Sequence, residues 1–93
     1  MSAERNAFLT LFPGETDSLL LELPHHFVDD GIRFSLLSWS FEFEDHSLTM
    51  GRAYGSADLS AFDQLTRLLN RHEFDYLIEI FEDSGRPLKR YSR

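Results

Sequence analysis

At 93 residues and without cysteine, the chain suits a single domain and excludes a disulfide framework, a thiolate nucleophile and any zinc site built on sulfur. A 42% hydrophobic share with nine Phe, three Tyr and one Trp excludes intrinsic disorder for the body of the chain, because that much apolar surface can offset the entropy of ordering it. A formal net charge of −7 argues against direct contact with nucleic acid or an anionic membrane, since both are bound through Lys and Arg.

Met1-Ser2-Ala3-Glu4-Arg5 shows no basic region leading into an apolar run. No later stretch approaches the ~18 apolar residues of a membrane span, so a cytoplasmic protein is expected. Ala7–Phe12 is apolar and rich in strand formers, and Pro13-Gly14-Glu15-Thr16-Asp17 breaks it as a loop. Ser18–Leu23 reads as a second strand, stopped by Pro24 and able to pair with the first as a hairpin. Pro24–Gly31 reads as a loop that ends on the turn signal Asp30-Gly31.

From Ile32 to Asp45 apolar and polar residues alternate, with Ile32, Phe34 and Leu36 in one phase and Leu37, Trp39, Phe41 and Phe43 in the other. The slip at Leu36-Leu37 demands a bulge or a sharp bend if one face is to stay buried. Asp45-His46 then turns into a more polar strand over Ser47–Tyr54, forming a hairpin with the preceding run.

Gly55-Ser56-Ala57-Asp58 opens a helix, with Ser56 or Asp58 placed to cap it. Leu59, Phe62, Leu65, Leu68 and Leu69 follow at spacings of three and four, which is one helical stripe, and Asp63 and Arg67 form an i,i+4 pair on the outside. Asn70, Arg71 and His72 suit the last turn. Phe74–Glu82 is a strand, and Asp83-Ser84-Gly85-Arg86 is a turn that lets Leu88–Tyr91 return as an edge strand. The expected fold is α+β: a mostly antiparallel sheet of four to six strands, β-β-β-β-α-β with a final edge strand where the tail folds back, and one helix on one face. The whole of 1–93 forms one acidic domain with a basic tail over 84–93.

Candidate chemistry is sparse. His25, His26, Asp29 and Asp30 are metal-capable, but neighbouring His residues on a strand point oppositely, so a polar loop and no metal are expected. No Gly-x-Ser-x-Gly elbow or His-Glu-x-x-His helix occurs, and Gly51-Arg52-Ala53-Tyr54-Gly55 has the wrong arrangement for a phosphate loop. Neither catalysis nor a cofactor is expected.

Charge is more informative. Residues 1–83 hold all 16 acidic side chains against five arginines, a net of −11, whereas the last ten residues hold Arg86, Lys89, Arg90 and Arg93 and no acid. Strand periodicity places Glu42 and Glu44 on one face, Glu22 near a strand end and Glu79 opposite the apolar face of its strand. With the helix covering the aromatic face, carboxylates gather on the open face or its rim. The partner-binding candidates are therefore Glu22, Glu42, Glu44, Asp45, Glu79, Glu82 and Asp83.

In size and charge alone the chain is similar to small phage-borne inhibitors such as anti-CRISPR proteins and to immunity proteins against toxic nucleases. This implies a non-catalytic inhibitor whose acidic surface blocks another protein with a basic or nucleic-acid-binding surface. Direct nucleic-acid or membrane contact is not expected, and the chain is a monomer or a homodimer. The alternative is a homodimeric secretion or assembly chaperone that holds a client through an apolar edge drawn from Phe8, Phe12, Leu19 and Leu21.

Overall fold

The computed structural model describes residues 5–45, 48–56 and 58–93. Met1 to Glu4, His46, Ser47 and Ala57, assigned above to the N-terminal segment, the Asp45-His46 turn with the strand start after it, and the helix opening, lie outside the described residues. The elements in order are β1 (Arg5–Phe12), α1 (Thr16–Glu22), β2 (His25–Val28), β3 (Gly31–Leu36), β4 (Trp39–Glu44), β5 (Met50–Gly55), α2 (Ser60–Arg71), β6 (Asp75–Glu82) and β7 (Pro87–Ser92). The class is α+β as expected. The antiparallel sheet has seven strands, ordered β2-β3-β4-β5-β1-β6-β7, and two helices accompany it. No helix among the described residues is long and apolar enough to cross a membrane.

The extra strands and helix arise where local pattern misleads. Ser18–Leu23 belongs largely to α1 and is not a strand. Leu19 and Leu23, four apart, are buried, while Leu21 between them is 89% exposed, which is helical and not alternating geometry. Leucine is a good helix former, and Leu23 turns extended because Pro24 follows it. His25–Val28, expected as loop, is the edge strand β2, joined to β3 through a turn at Asp29-Asp30.

The phase slip at Leu36-Leu37 is a chain reversal. Leu36 pairs with Trp39, and Leu37 and Ser38 form the turn between β3 and β4. The reversal brings Ile32 and Phe34 onto the same face as Trp39, Phe41 and Phe43, all buried. Leu37 sits in the turn at φ 55, a conformation usually left to Gly or Asn, and so carried no turn signal. The hairpins β4–β5 and β6–β7 form as expected.

β1 does not pair with Ser18–Leu23. It lies inside the sheet, antiparallel to both β5 and β6. β5 and β6 therefore run parallel to each other, which requires a crossover, and α2 supplies it. α2 begins at Ser60, where the Asp58 carboxylate accepts the Ser60 backbone N–H at 3.0 Å. It ends in a Schellman turn: Phe74 N–H donates to Leu69 C=O at 2.9 Å and Glu73 N–H to Asn70 C=O at 3.2 Å, with Glu73 at φ 63.

The core lies between one sheet face and the helices. Phe62, Leu65 and Leu69 of the expected stripe are buried, and Leu59 and Leu68 are packed against the core. Phe62 is its hub, with its ring 4.6 Å from Trp39, 5.5 Å from Phe41 and 6.1 Å from Tyr91. The partners of Trp39 and Phe43 on β5 are Gly55 and Gly51. A Cβ on Gly55 would stand 2.4 Å from the Trp39 ring, and one on Gly51 would stand 2.6 Å from the Phe43 ring. These glycines make room for the rings of β4, a role that their spacing alone did not suggest.

Truncating Phe62 to Ala is expected to cost about 3–5 kcal/mol in denaturant unfolding, as a buried aromatic with no room to be replaced by water. Gly55→Ala, by overpacking against Trp39 and the Ser38 carbonyl, should cost about 1–3 kcal/mol. A loss from either substitution too small to measure would contradict this packing.

Candidate functional site

Both helices pack on one side of the sheet, and the register defines what the other side presents. Across its middle, from β3 to β7, neighbouring strands place Arg33, Glu42, Arg52, Phe8, Glu79 and Arg90 in one row. On one side of that row Tyr54, Asn6 and Phe81 stand side by side, and on the other Met50, Thr10 and Leu77. The open face is thus an apolar strip on β5, β1 and β6 with charges of both signs across it. Phe8, Phe12, Met50 and Tyr54 are 46–61% exposed. Phe8 meets Phe81 edge-on with ring centres 5.9 Å apart. A depression of about 570 Å³ covers the β2–β5 half, with Phe8, Val28, Met50 and Tyr54 among its walls and Arg33, Glu42 and Arg52 beside them.

The seven acidic candidates fall into separate places. Glu42 is on the open face as expected but is paired with Arg33 at 3.2 Å and stands opposite Arg52. Glu79 is on the same face between Phe8 and Arg90. Glu44 and Asp45 leave β4 at one end of the sheet, with Glu44 opposite Gly31. Glu82 and Asp83 lie at the other end, where Glu82 closes the β6–β7 turn through backbone bonds to Gly85 and Arg86. Glu22 is not on the sheet at all, because its segment is helical, and it faces α2.

Asp29 and Asp30 join Glu44 and Asp45 from the adjacent β2–β3 turn. Val28 pairs with Gly31 and Gly31 with Glu44, so both turns protrude at the same end. Among the described residues no cation pairs with any of these four carboxylates. The sequence by itself suggests Asp29 and Asp30 only as metal ligands. Recognising them as part of an acidic end requires knowing that β2 is a strand and that β3 and β4 form a hairpin.

His25 and His26 diverge. His25 lies on the helix side, its Nδ1 hydrogen-bonded to the Leu23 carbonyl at 2.7 Å, and His26 pairs across from Arg33 on the open face. No group of three metal-capable side chains converges among the described residues. Phe8 and Phe12 do not form an apolar edge, because β1 is interior, and Leu19 is buried. The basic tail is ordered as β7: Lys89 stands 4.8 Å from the Tyr91 ring centre, and Arg93 donates to the Asn70 and Phe74 carbonyls. Asp63, expected to pair with Arg67, accepts the Tyr91 hydroxyl at 3.4 Å.

The Glu22 carboxylate accepts a hydrogen bond from Arg71 at 2.7 Å and shares another with His72 Nε2. The His72 bond, assisted by the Arg71 charge, holds the Glu22 carboxyl below its ordinary value. A carboxyl lowered on folding stabilises the fold above its unfolded-state pKa, and that contribution disappears as pH falls through the folded value. Glu22→Gln should therefore lower Tm at neutral pH, and the gap to the parent should close in acid. A gap that is independent of pH would refute the role of the ionised carboxylate.

Compared with known proteins, the chain matches no family model, no curated protein and no solved structure.

Proposed function

We propose that this chain is a non-catalytic protein-binding inhibitor that blocks a basic, nucleic-acid-binding partner protein with one acidic end of its sheet. The observation that carries this reading is the meeting of Asp29, Asp30, Glu44 and Asp45 in two adjoining turns with no cation of the chain paired to them among the described residues. Unpaired carboxylates at a rim project a field that steers a basic surface into contact. Glu22 and Glu42 are neutralised within the chain, so they contribute less to that field. Glu82 and Asp83 lie at the opposite end and would add to the net attraction without touching the same partner groove.

The exposed Phe8, Met50 and Tyr54 favour a second reading, a homodimeric adaptor in which the acidic end holds a client.

Capture from the native host followed by mass spectrometry identifies the partner, and its association rate is then measured against salt. The rate should fall steeply as salt rises while dissociation changes little. Reversing Asp29, Asp30 and Glu44 to Lys should slow association at low salt by about tenfold or more, within the range over which steering acts. Asp63→Lys, on α2, should change it little. Binding indifferent to salt and to the triple reversal would rule the acidic end out.

A further inference from the structure

We infer that the open face of the sheet is a homodimer interface, in which two copies pack face to face about a twofold axis running along β1. This goes beyond the acidic-end reading and uses different residues.

The open face is self-complementary about its central strand. An axis lying between two packed sheets and parallel to their strands exchanges left and right, so each side chain on β5 meets one on the partner's β6, and each on β4 meets one on the partner's β7. In the middle row, Phe8 then faces its own copy, Arg52 faces Glu79 of the partner subunit and Glu42 faces Arg90 of the partner subunit. In the rows above and below, Tyr54 faces the partner's Phe81, and Met50 faces the partner's Leu77. Each of these apolar side chains meets an apolar one and each of these four charges meets its opposite, while Arg33 on β3 lies beyond the partner's β7 and stays paired with Glu42 of its own chain.

An axis across the strands gives the reverse result. It sets Arg52 against its own copy and Glu79 against its own copy, like charges that cost free energy when desolvated. Charge placement therefore selects one axis. Sheets stacked at about 10 Å and rotated by roughly 30° keep this matching best near the axis, where these residues lie.

The arrangement also accounts for several otherwise separate features. Arg52, Glu79 and Arg90 have no ion-pair partner within their own chain among the described residues, and Arg52 and Glu79 flank the exposed Phe8 ring. The depression on the β2–β5 half receives the partner's β6 and β7, which carry Leu77 and Phe81. Five strands spaced about 4.8 Å apart and about 20 Å long give a face on the order of 500 Å² in projection, and side-chain relief raises this toward the ~800 Å² per partner of a standard interface. Only two strands lie beyond β1 on one side and four on the other, so β2 and β3 overhang the partner's β7. Asp29 and Asp30, in the β2–β3 turn, line the far rim of the depression beyond the partner's β7.

Sedimentation equilibrium of the full chain tests this. The parent should have twice the mass of the 10.9 kDa chain at micromolar concentration. Arg52→Glu alone, Glu79→Arg alone and Phe8→Ser alone should each raise the dimer dissociation constant by about tenfold or more. The double variant R52E/E79R restores opposite charges across the axis and should recover most of that loss, although within each chain the exchanged charges then stand beside Glu42 and Arg90, each next to its like. Circular dichroism and Tm confirm that each variant is folded; Phe8 and Arg52 are exposed and Glu79 is half-buried on the open face, so none of the three substitutions enters the core. A monomeric parent, a dimer unmoved by Phe8→Ser and both reversals, or a double variant no better than the singles would each overturn the proposal.

Discussion

Trp39, Phe41 and Phe43 place three large rings on one side of a six-residue strand, and burying them dictates much of what surrounds β4. Phe34 stacks on Phe41 at 4.9 Å from the neighbouring β3. On the other flank β5 offers only Gly51, Ala53 and Gly55, because side chains there would occupy the volume of the rings. From above, Phe62 closes the layer, and α2 must lie where it does to bring Phe62 between Trp39 and Phe41. The indole N–H is satisfied by the Asp58 carbonyl at 2.7 Å, so the tryptophan also anchors the chain just before α2 begins.

With α2 committed to that side, the crossover from β5 to β6 leaves a gap that β1 fills. α1 is then held against the C-terminal end of α2, through the Glu15 N–H bond to the His72 carbonyl at 3.1 Å and through Glu22 on Arg71 and His72. Both helices thus cover the same face, and nothing among the described residues covers the other. An interior strand with apolar residues on both faces, Leu9 and Leu11 inward and Phe8 and Phe12 outward, is the cost of that one-sided architecture. A second copy on the open face would remove it.

The two edges of the sheet are guarded differently. β7 begins with Pro87 and carries Lys89 and Arg90, groups that discourage edge pairing. β2 is only four residues long and ends in the acidic turn. Acid and base are thereby segregated: the bases line one edge, the unpaired carboxylates of Asp29, Asp30, Glu44 and Asp45 crowd one end, and the face between them is balanced. The −7 of the chain is a property of its ends and its helix layer more than of its open face.

The α+β class, the antiparallel hairpins β4–β5 and β6–β7, the stripe of α2 and the return of the tail as an edge strand were legible in the sequence, because each depends on periodicity and turn residues within about 20 positions. The same local pattern reads α1 as a strand, where a run of leucines hides its period, and marks a bulge or sharp bend at Leu36-Leu37 without showing that the chain reverses there, because the Leu37-Ser38 turn lacks Gly, Asn or Asp. For the candidate site, residue identities were legible: Glu42, Glu44 and Glu79 were rightly assigned to strands and Phe8 and Phe12 to an apolar segment. Their neighbours were not. Only the tertiary structure decided that β1 is interior, that Arg33 and Arg52 flank Glu42, that Glu22 serves a helix contact and that Asp29 and Asp30 meet Glu44 and Asp45. Strand order sets which side chains oppose one another, and pairings such as Phe8 with Glu79 join residues some 70 positions apart. Periodicity along one segment carries no information about the segment that will lie beside it, so charge and apolarity were written in the sequence while their complementarity was made by the sheet.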